Sequence, residues 1–404
     1  MTEHDHPACL LLADGAWGSP LHAMRSLAPR GIATYVATAG SGAALLGRSR
    51  FCAAAVDLDP SGSVSFCEAV AAWLARVHPG DGPIVVIPLS DRMVSVLDEA
   101  RHAFPDRFVV SVPSPPSVRT LVDKSLSFRV AEQAGLDVPV WTTVEAESDI
   151  ERAVATPVPV AVRPSSWATF GETYFKLHVH DNRAEFEADL RRQVASGARL
   201  IAQEYLDVPE DAVEFAILWR SADAAVTAIC TGRKRRQSGA DGGVMVWGEA
   251  VPLPDVAEAA VRYLDSSGFT GLGGIEFIRD RGRLRFIEFN PRLEAIHFLA
   301  KGAGVDMVPL AFDDLVGAGP PARIPRQRYA AAWVGSAWLG RFLDDPRARR
   351  LLLRDRLRFA MSPNRVRAVW SWTDPLPGLS LSFRLVTSRL RRIWSRPAPG
   401  GAPR

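Results

Sequence analysis

The sequence predicts a mixed α/β and α+β protein: a parallel-sheet domain at its start, a larger domain organised around a β-hairpin, and a basic extension at its end. Three observations carry that prediction. Apolar strand-like runs alternate with helical patterns up to residue 112, the signature of a parallel sheet with helices on its faces. Two runs rich in aromatic and β-branched residues, 273–278 and 284–290, flank the turn chemistry of Arg279-Asp280-Arg281-Gly282-Arg283. Charge also divides at Arg323: from that residue to the end 18 Arg meet 4 acidic residues (+14), against −11 before it.

The N-terminal elements follow in order. Residues 8–13 form an apolar strand, 21–27 a helical pattern, and 31–37 and 84–88 two further strands. The Gly15–Gly18 turn lacks Gly-x-Gly-x-x-Gly spacing, and no acidic residue closes the next strand near Val36, so a nicotinamide cofactor is not expected there. Ser90-Asp91-Arg92 follows a strand end, where open α/β sheets bind ligands; substrate contact and a helix N-cap are the two readings. Pro113 to Pro116 marks the first boundary and Pro320 to Pro325 the second, dividing the chain into 1–112, 113–319 and 320–404.

In the hairpin, alternation puts Glu276 and Ile278 on one face, and Leu284, Phe286, Glu288 and Asn290 on one face of the partner strand. A loop near Arg281 or Gly282 sets Glu276 opposite Glu288 or one diagonal step away, within roughly 5–8 Å. Two carboxylates and an amide oxygen on one face either lie solvated beside the nearby arginines or share a cation. Hard oxygen ligands of this kind suit Mg²⁺.

Glu288-Phe289-Asn290-Pro291-Arg292 matches the Glu-x-Asn-Pro-Arg signature of the ATP-grasp superfamily, and Gly273-Gly274-Ile275-Glu276-Phe277 resembles its other metal-carboxylate strand. Asp123-Lys124, a helix, then Ala134-Gly135-Leu136-Asp137-Val138-Pro139 is similar to the entry of such a domain. The resemblance covers residues 121–318, makes 1–112 the Rossmann-like module that precedes the two-lobed ATP-grasp domain, and points to bacterial predicted ATP-grasp carboligases. The run 369–377, with its Trp370-Ser371-Trp372-Thr373-Asp374-Pro375, resembles the end of that group.

The resemblance implies an ATP- and Mg²⁺-dependent ligase, with Mn²⁺ as an alternative metal, that activates a carboxylate as an acyl phosphate for capture by an amine. It implies metal ligands Glu276, Glu288 and Asn290, and phosphate contacts from Lys124, Arg163 and Lys176. Gln203, Glu204, Tyr205 and Leu206 would form the adenine hinge, and Glu214 would face the nucleotide or sit on an edge strand. Lys234, Arg236 and Arg292 would meet the acyl phosphate or the substrate carboxylate. The segment 165–172 departs from the family in carrying a single glycine where relatives have a glycine-rich flap. The rival reading is a catalytically degenerate ATP-binding scaffold.

Outside those motifs, His178 and His180 read as strand-surface histidines rather than metal ligands, and residues 293–299 as a helix with a packed His297. The cluster 233–236 lacks the interleaved aromatics of a nucleic-acid surface, so no nucleic acid is expected. Small-molecule carboxylate and amine substrates are the expected partners. Four scattered cysteines, no apolar run of about 18 residues and no basic start to the chain predict a cytoplasmic protein without a signal peptide. In the tail, Leu379, Phe383, Val386, Leu390 and Ile393 recur at helical period among arginines. Such a helix packs on its own acidic body, pairs with a second copy as a homodimer, or lies on an anionic membrane surface. Residues from 395 onward are expected to be disordered.

Overall fold

The computed structural model describes residues 6–15, 18–59, 62–78, 80–112, 121–165, 175, 177–239, 242–321 and 323–394. Strand β1 (Ala8–Ala13) is buried along its whole length, as a central strand covered on both faces must be. It pairs in parallel with β2 (Thr34–Ala39) and β4 (Ile84–Pro88). With β3 (Ala54–Leu58) and β5 (Phe108–Val110) the sheet runs β3-β2-β1-β4-β5. Helices α1 (Gly18–Leu27), α2 (Ala43–Leu46), α3 (Ser63–Val77) and α4 (Asp91–Ala100) make the crossovers. Ser90 caps α4 by accepting from the Met93 amide, so the capping reading of that residue is the one observed.

After α5 (Lys124–Gln133), capped by Asp123, the chain builds a small antiparallel sheet from β6 (Trp141–Val144), β7 (Val160–Pro164), β8 (His178–His180) and β9 (Leu200–Glu204). Its order is β6-β9-β7-β8. Helices α6 (Ile150–Val154) and α7 (Arg183–Ala195) cover one face, closing a core around Val144, Ile150, Phe186 and Leu200.

The third sheet is the frame of the molecule. It contains β10 (Val213–Arg220), β11 (Thr227–Gln237), β12 (Met245–Ala250), β13 (Gly271–Asp280), β14 (Arg283–Asn290), β15 (Ala330–Trp333) and β16 (Arg365–Arg367). Their order is β14-β13-β10-β11-β12-β15-β16. Helix α8 (Pro254–Ser267) and α5 cover one face, where the Tyr263 and Phe286 rings stack with centroids 5.0 Å apart. On the opposite face Phe215, Ile217 and Trp219 join a core with Leu11 and Ile87 of the N-terminal sheet. Leu293, and Phe298 of α9 (His297–Gly302), together with α10 (Met307–Leu315), complete that shared core.

The segment beyond residue 320 is woven into this frame: β15 extends the sheet from β12, and β16 extends it from β15. Helices α11 (Gly335–Asp344) and α12 (Arg349–Met361) pack Trp338 and Phe359 around Trp333. The Trp-Thr-Asp-Pro run then turns back to the N-terminal domain. Asp374, 1% exposed, accepts from Arg25 Nε at 3.0 Å, Ser49 Oγ at 2.8 Å and the Arg50 amide at 3.1 Å. Asp374→Ala leaves Arg25 without its carboxylate and should cost about 2 kcal/mol of stability. The check is the urea midpoint, with Asp374→Asn expected to fall between the two; an unchanged midpoint for the alanine variant would refute this role.

Helix α13 (Leu376–Trp394) follows, as its periodicity predicts. It packs through Leu381, 5% exposed, while Leu379 and Phe383 are 52% and 71% exposed. The described part of the apolar stripe therefore faces outward instead of covering the protein's own body; the side chains of Val386, Leu390 and Ile393 lie outside the description. Among the described residues no helix is long and apolar enough to cross a membrane.

Candidate active site

The hairpin is the floor of the site. Its turn is the two-residue loop Arg281-Gly282, with φ of 48° and 82°, closed by the Asp280–Arg283 pair. Positive φ at both positions is the conformation that suits a tight hairpin, and glycine at the second takes it without strain. Glu276 lies directly opposite Glu288, and Gly274 opposite Asn290.

The alternation along β14 is broken once. Glu276 pairs with Glu288 but Phe277 pairs with Phe286, leaving Ile287 as an extra residue in a β-bulge. The expected single face of Leu284, Phe286, Glu288 and Asn290 is therefore corrected. Phe286 is buried against α5 and α8, with Leu284 packed beside it, while Glu288 and Asn290 line the cleft. The bulge lets the strand bury an aromatic beneath the sheet and still present both polar side chains above it.

Above the hairpin lies a cleft of about 510 Å³, bounded by the small antiparallel sheet, the end of β11 and the segment after β14. Each of the two opposed carboxylates meets a cation. Arg163, at the end of β7, donates to Glu288 Oε2, and Lys234 Nζ lies 2.5 Å from Glu276 Oε1. Burial pulls the Lys234 ammonium down, but Glu276, with Glu288 and Glu294 beyond it, more than offsets this and holds it charged. Lys124, at the first turn of α5, lines a small recess behind Glu288 and Asn290. Burial and then Arg163 push its pKa down against the opposing pull of Glu288, Asp91 and Asp123.

Arg292 joins this floor to the N-terminal domain. Its Nε donates to Asp91 Oδ1 at 2.6 Å and its Nη2 to Asn290 Oδ1 at 3.2 Å. Burial alone would raise the Asp91 pKa; Arg292, helped by Lys124, reverses this and keeps the carboxylate ionised. Asp91, the first residue of α4, thus reaches the cleft floor through Arg292.

Glu294 was not singled out by its sequence. It lines the cleft, is 7% exposed, and accepts from Asn290 Nδ2 at 2.6 Å. Burial raises its pKa, and the neighbouring Glu276 and Glu288 add to the rise against Arg292 and Lys234. The available signal was the Gly273-Gly274 pair. A Cβ on Gly274 would sit 1.8 Å from Glu294 Oε2, so only glycine leaves room for this carboxylate. His297 accepts from the Glu294 amide through Nδ1 and is buried, as expected; burial and then His22 hold it neutral.

The remaining expected site residues separate into two groups. Gln203, Tyr205 and Leu206 line the cleft, and the buried Gln203 Oε1 has no hydrogen-bond partner in the protein. Glu204 instead turns to Arg285, 3.0 Å away, and accepts from the Val140 amide. Glu214 points through the opposite face of the sheet, bound by Arg233 at 2.8 Å and Arg279 at 2.5 Å. Strand parity explains this: Phe215, not Glu214, pairs with Glu276.

Arg236 is also outside the cleft. A register shift between Lys234 and Arg236 turns its guanidinium to Asp355 of α12, at 2.7 Å, beside a separate cavity of about 460 Å³. Lys176 and most of the glycine-poor segment 165–172 lie outside the described residues.

No family model matches the sequence. Over 271 residues the chain is 25% identical to a biotin carboxylase from Allochromatium vinosum, covering 61% of this chain. The chain spans about half the length of that relative, 55%. N5-carboxyaminoimidazole synthetase from Staphylococcus aureus, solved complexed with ADP, superposes with a TM-score of 0.62 at 13% identity, over 82% of this chain and 83% of that one. L-amino acid ligase from Bacillus licheniformis gives 0.60 at 16% identity, over 80% and 79%. The chain has the ATP-grasp fold. In ATP-grasp terms, the small sheet and the large sheet are the two lobes, and the cleft between them is floored by the opposed carboxylates.

Proposed function

We propose that this ATP-grasp protein is an ATP-dependent carboxylate–amine ligase working through an acyl phosphate on small-molecule substrates. The observation that carries the proposal is the directly opposed Glu276–Glu288 pair, each carboxylate already met by a cation, on the floor of the interlobe cleft. The biotin carboxylase relative and the ADP-bound and ligase neighbours support the reaction class.

Two carboxylates and the Asn290 amide oxygen are a hard, all-oxygen donor set that fits Mg²⁺, with Mn²⁺ the nearest substitute. Bound there, such an ion supplies charge to the phosphate oxygens as the γ-phosphoryl group transfers. The chain's own residues then divide the work. Gln203 Oε1, an unpaired acceptor, and the Tyr205–Leu206 strand end receive the base. Arg163 exchanges part of its pairing with Glu288 for phosphate oxygens, and Lys124, in the recess behind Glu288, adds its charge to them. Arg292, braced by Asp91, orients the attacking carboxylate. A substrate carboxylate oxygen bonds to the γ-phosphorus as the bond to the bridging oxygen breaks and ADP leaves. The amine nitrogen then bonds to the acyl carbon, phosphate leaves, and the nitrogen loses a proton. Glu294, between Asn290 and Gly274, is the carboxylate placed to hold the incoming amine.

The test is phosphate release from MgATP by the full chain against panels of carboxylic acids and amines. Release that requires one acid and one amine together supports the ligase; release indifferent to every addition contradicts it and marks a hydrolase, while ATP binding with no release under any addition contradicts it and leaves a scaffold. A cytoplasmic location is part of this proposal, supported by four cysteines that are all free thiols.

The outward-facing Leu379 and Phe383 favour a role for α13 beyond its own body. We infer that it self-associates or rests on an anionic surface. Truncation after Pro377 should leave ATP turnover unchanged while abolishing dimers in sedimentation or binding to anionic vesicles. A truncated protein that loses turnover would show instead that α13 is needed for the fold.

A further inference from the structure

We propose that the small lobe holds a second metal site, for a first-row transition ion of the Zn²⁺ class, formed by His178, His180 and Asp189. The two histidines alternate along β8, so their side chains leave the same face of the strand. Asp189 comes from α7, in a position that no local pattern links to them. Its Oδ2 lies 2.8 Å from His178 Nδ1 and 3.0 Å from His180 Nε2. Among the described residues this is the one group of three His, Cys, Asp or Glu side chains whose ligand atoms all lie within 4.8 Å of one another.

Two imidazoles and one carboxylate are the donors that borderline ions select, whereas the cleft's oxygen set suits Mg²⁺. A tetrahedral ion with ligand bonds of 2.0–2.1 Å spaces its ligands by roughly 3.3 Å, so the two carboxylate–imidazole separations need to open by only a few tenths of an ångström, and the two imidazole nitrogens already lie within 4.8 Å of each other. The surroundings hold the ligands in place. Asp189 is 1% exposed, and its other oxygen, Oδ1, accepts from Gln193 Nε2 at 3.2 Å and from Arg192, leaving Oδ2 directed at the histidines. Outer partners that fix a ligating carboxylate in this way sharpen a metal site. The Phe175 ring stacks on His178 at 4.0 Å. The His178 side chain is 35% exposed, which gives an ion and one water a route in. Occupied, the site ties β8 to α7 across the small lobe's core. Alternation along β8 gives no hint of such a site, because the third side chain sits nine residues on, in the next helix.

The experiment is equilibrium dialysis of the full chain, stripped with chelator, against Zn²⁺ alone. Excess Mg²⁺ and the Glu288→Gln background keep Zn²⁺ from the cleft. The expected result is one equivalent of Zn²⁺ per chain, weakened by more than about tenfold in His178→Ala and again in His180→Ala. Zn²⁺ should raise the melting temperature of the parent and not of either variant. Asp189 is buried and its replacement could unfold the lobe, so the exposed His178 carries the decision. Substoichiometric binding, or His178→Ala and His180→Ala binding Zn²⁺ as the parent does, would overturn the proposal.

Discussion

Glu288→Gln is expected to lower ATP turnover by about 10²–10³-fold while changing ATP affinity far less. The effect follows from where Glu288 sits. It opposes Glu276 on the cleft floor and is held by Arg163. The substitution keeps shape and hydrogen-bonding capacity but removes one of the two carboxylates proposed to hold the metal. A cation held less firmly still allows the nucleotide to dock; it no longer holds the charge that moves during transfer. Arg163 loses its anionic partner and is freer to meet a phosphate, which further protects affinity. Single-turnover kinetics beside calorimetric ATP binding separates the two quantities. Normal turnover in this variant would remove the metal assignment.

Lys124→Met and Arg163→Met should each raise the dissociation constant for ATP by about tenfold or more, the loss of roughly 1.5–3 kcal/mol of charged hydrogen bonding. Both cations stand at the small-lobe side of the floor, Arg163 against Glu288 and Lys124 in the recess behind it. Each removal also leaves Glu288 less neutralised, so a phosphate would meet uncompensated negative charge. Arg163→Lys should recover part of the affinity but not the bidentate grip of a guanidinium. Titration calorimetry in the presence of Mg²⁺ measures this directly. Unchanged affinity in both methionine variants would refute the phosphate role.

The hairpin was legible because its chemistry is local. Alternation, turn residues and the Glu-Phe-Asn-Pro-Arg run placed Glu276 against Glu288 without reference to anything distant. The parallel N-terminal sheet was equally plain, since a strand buried on both faces must be apolar throughout, as β1 is. What failed to show was anything set by a register shift or by a partner far along the chain. One extra residue at Ile287 moved Phe286 from the cleft face to the core, and a similar shift on β11 sent Arg236 to Asp355. Glu214 was legible as a strand carboxylate but not as a bridge between Arg233 and Arg279 on the far face. Asp374 and Asp189 likewise acquire their roles from residues that only the fold brings near.

The central claim is that a substrate carboxylate attacks the γ-phosphate. Once the panel has supplied an acid and an amine, the most direct test is turnover of the acid labelled with ¹⁸O in its carboxylate. An acyl phosphate leaves one of the two carboxylate oxygens in the phosphate released, with ADP as the nucleotide product. Labelled phosphate and ADP are the predicted result. AMP as product, or phosphate whose oxygen comes only from water, would contradict the account.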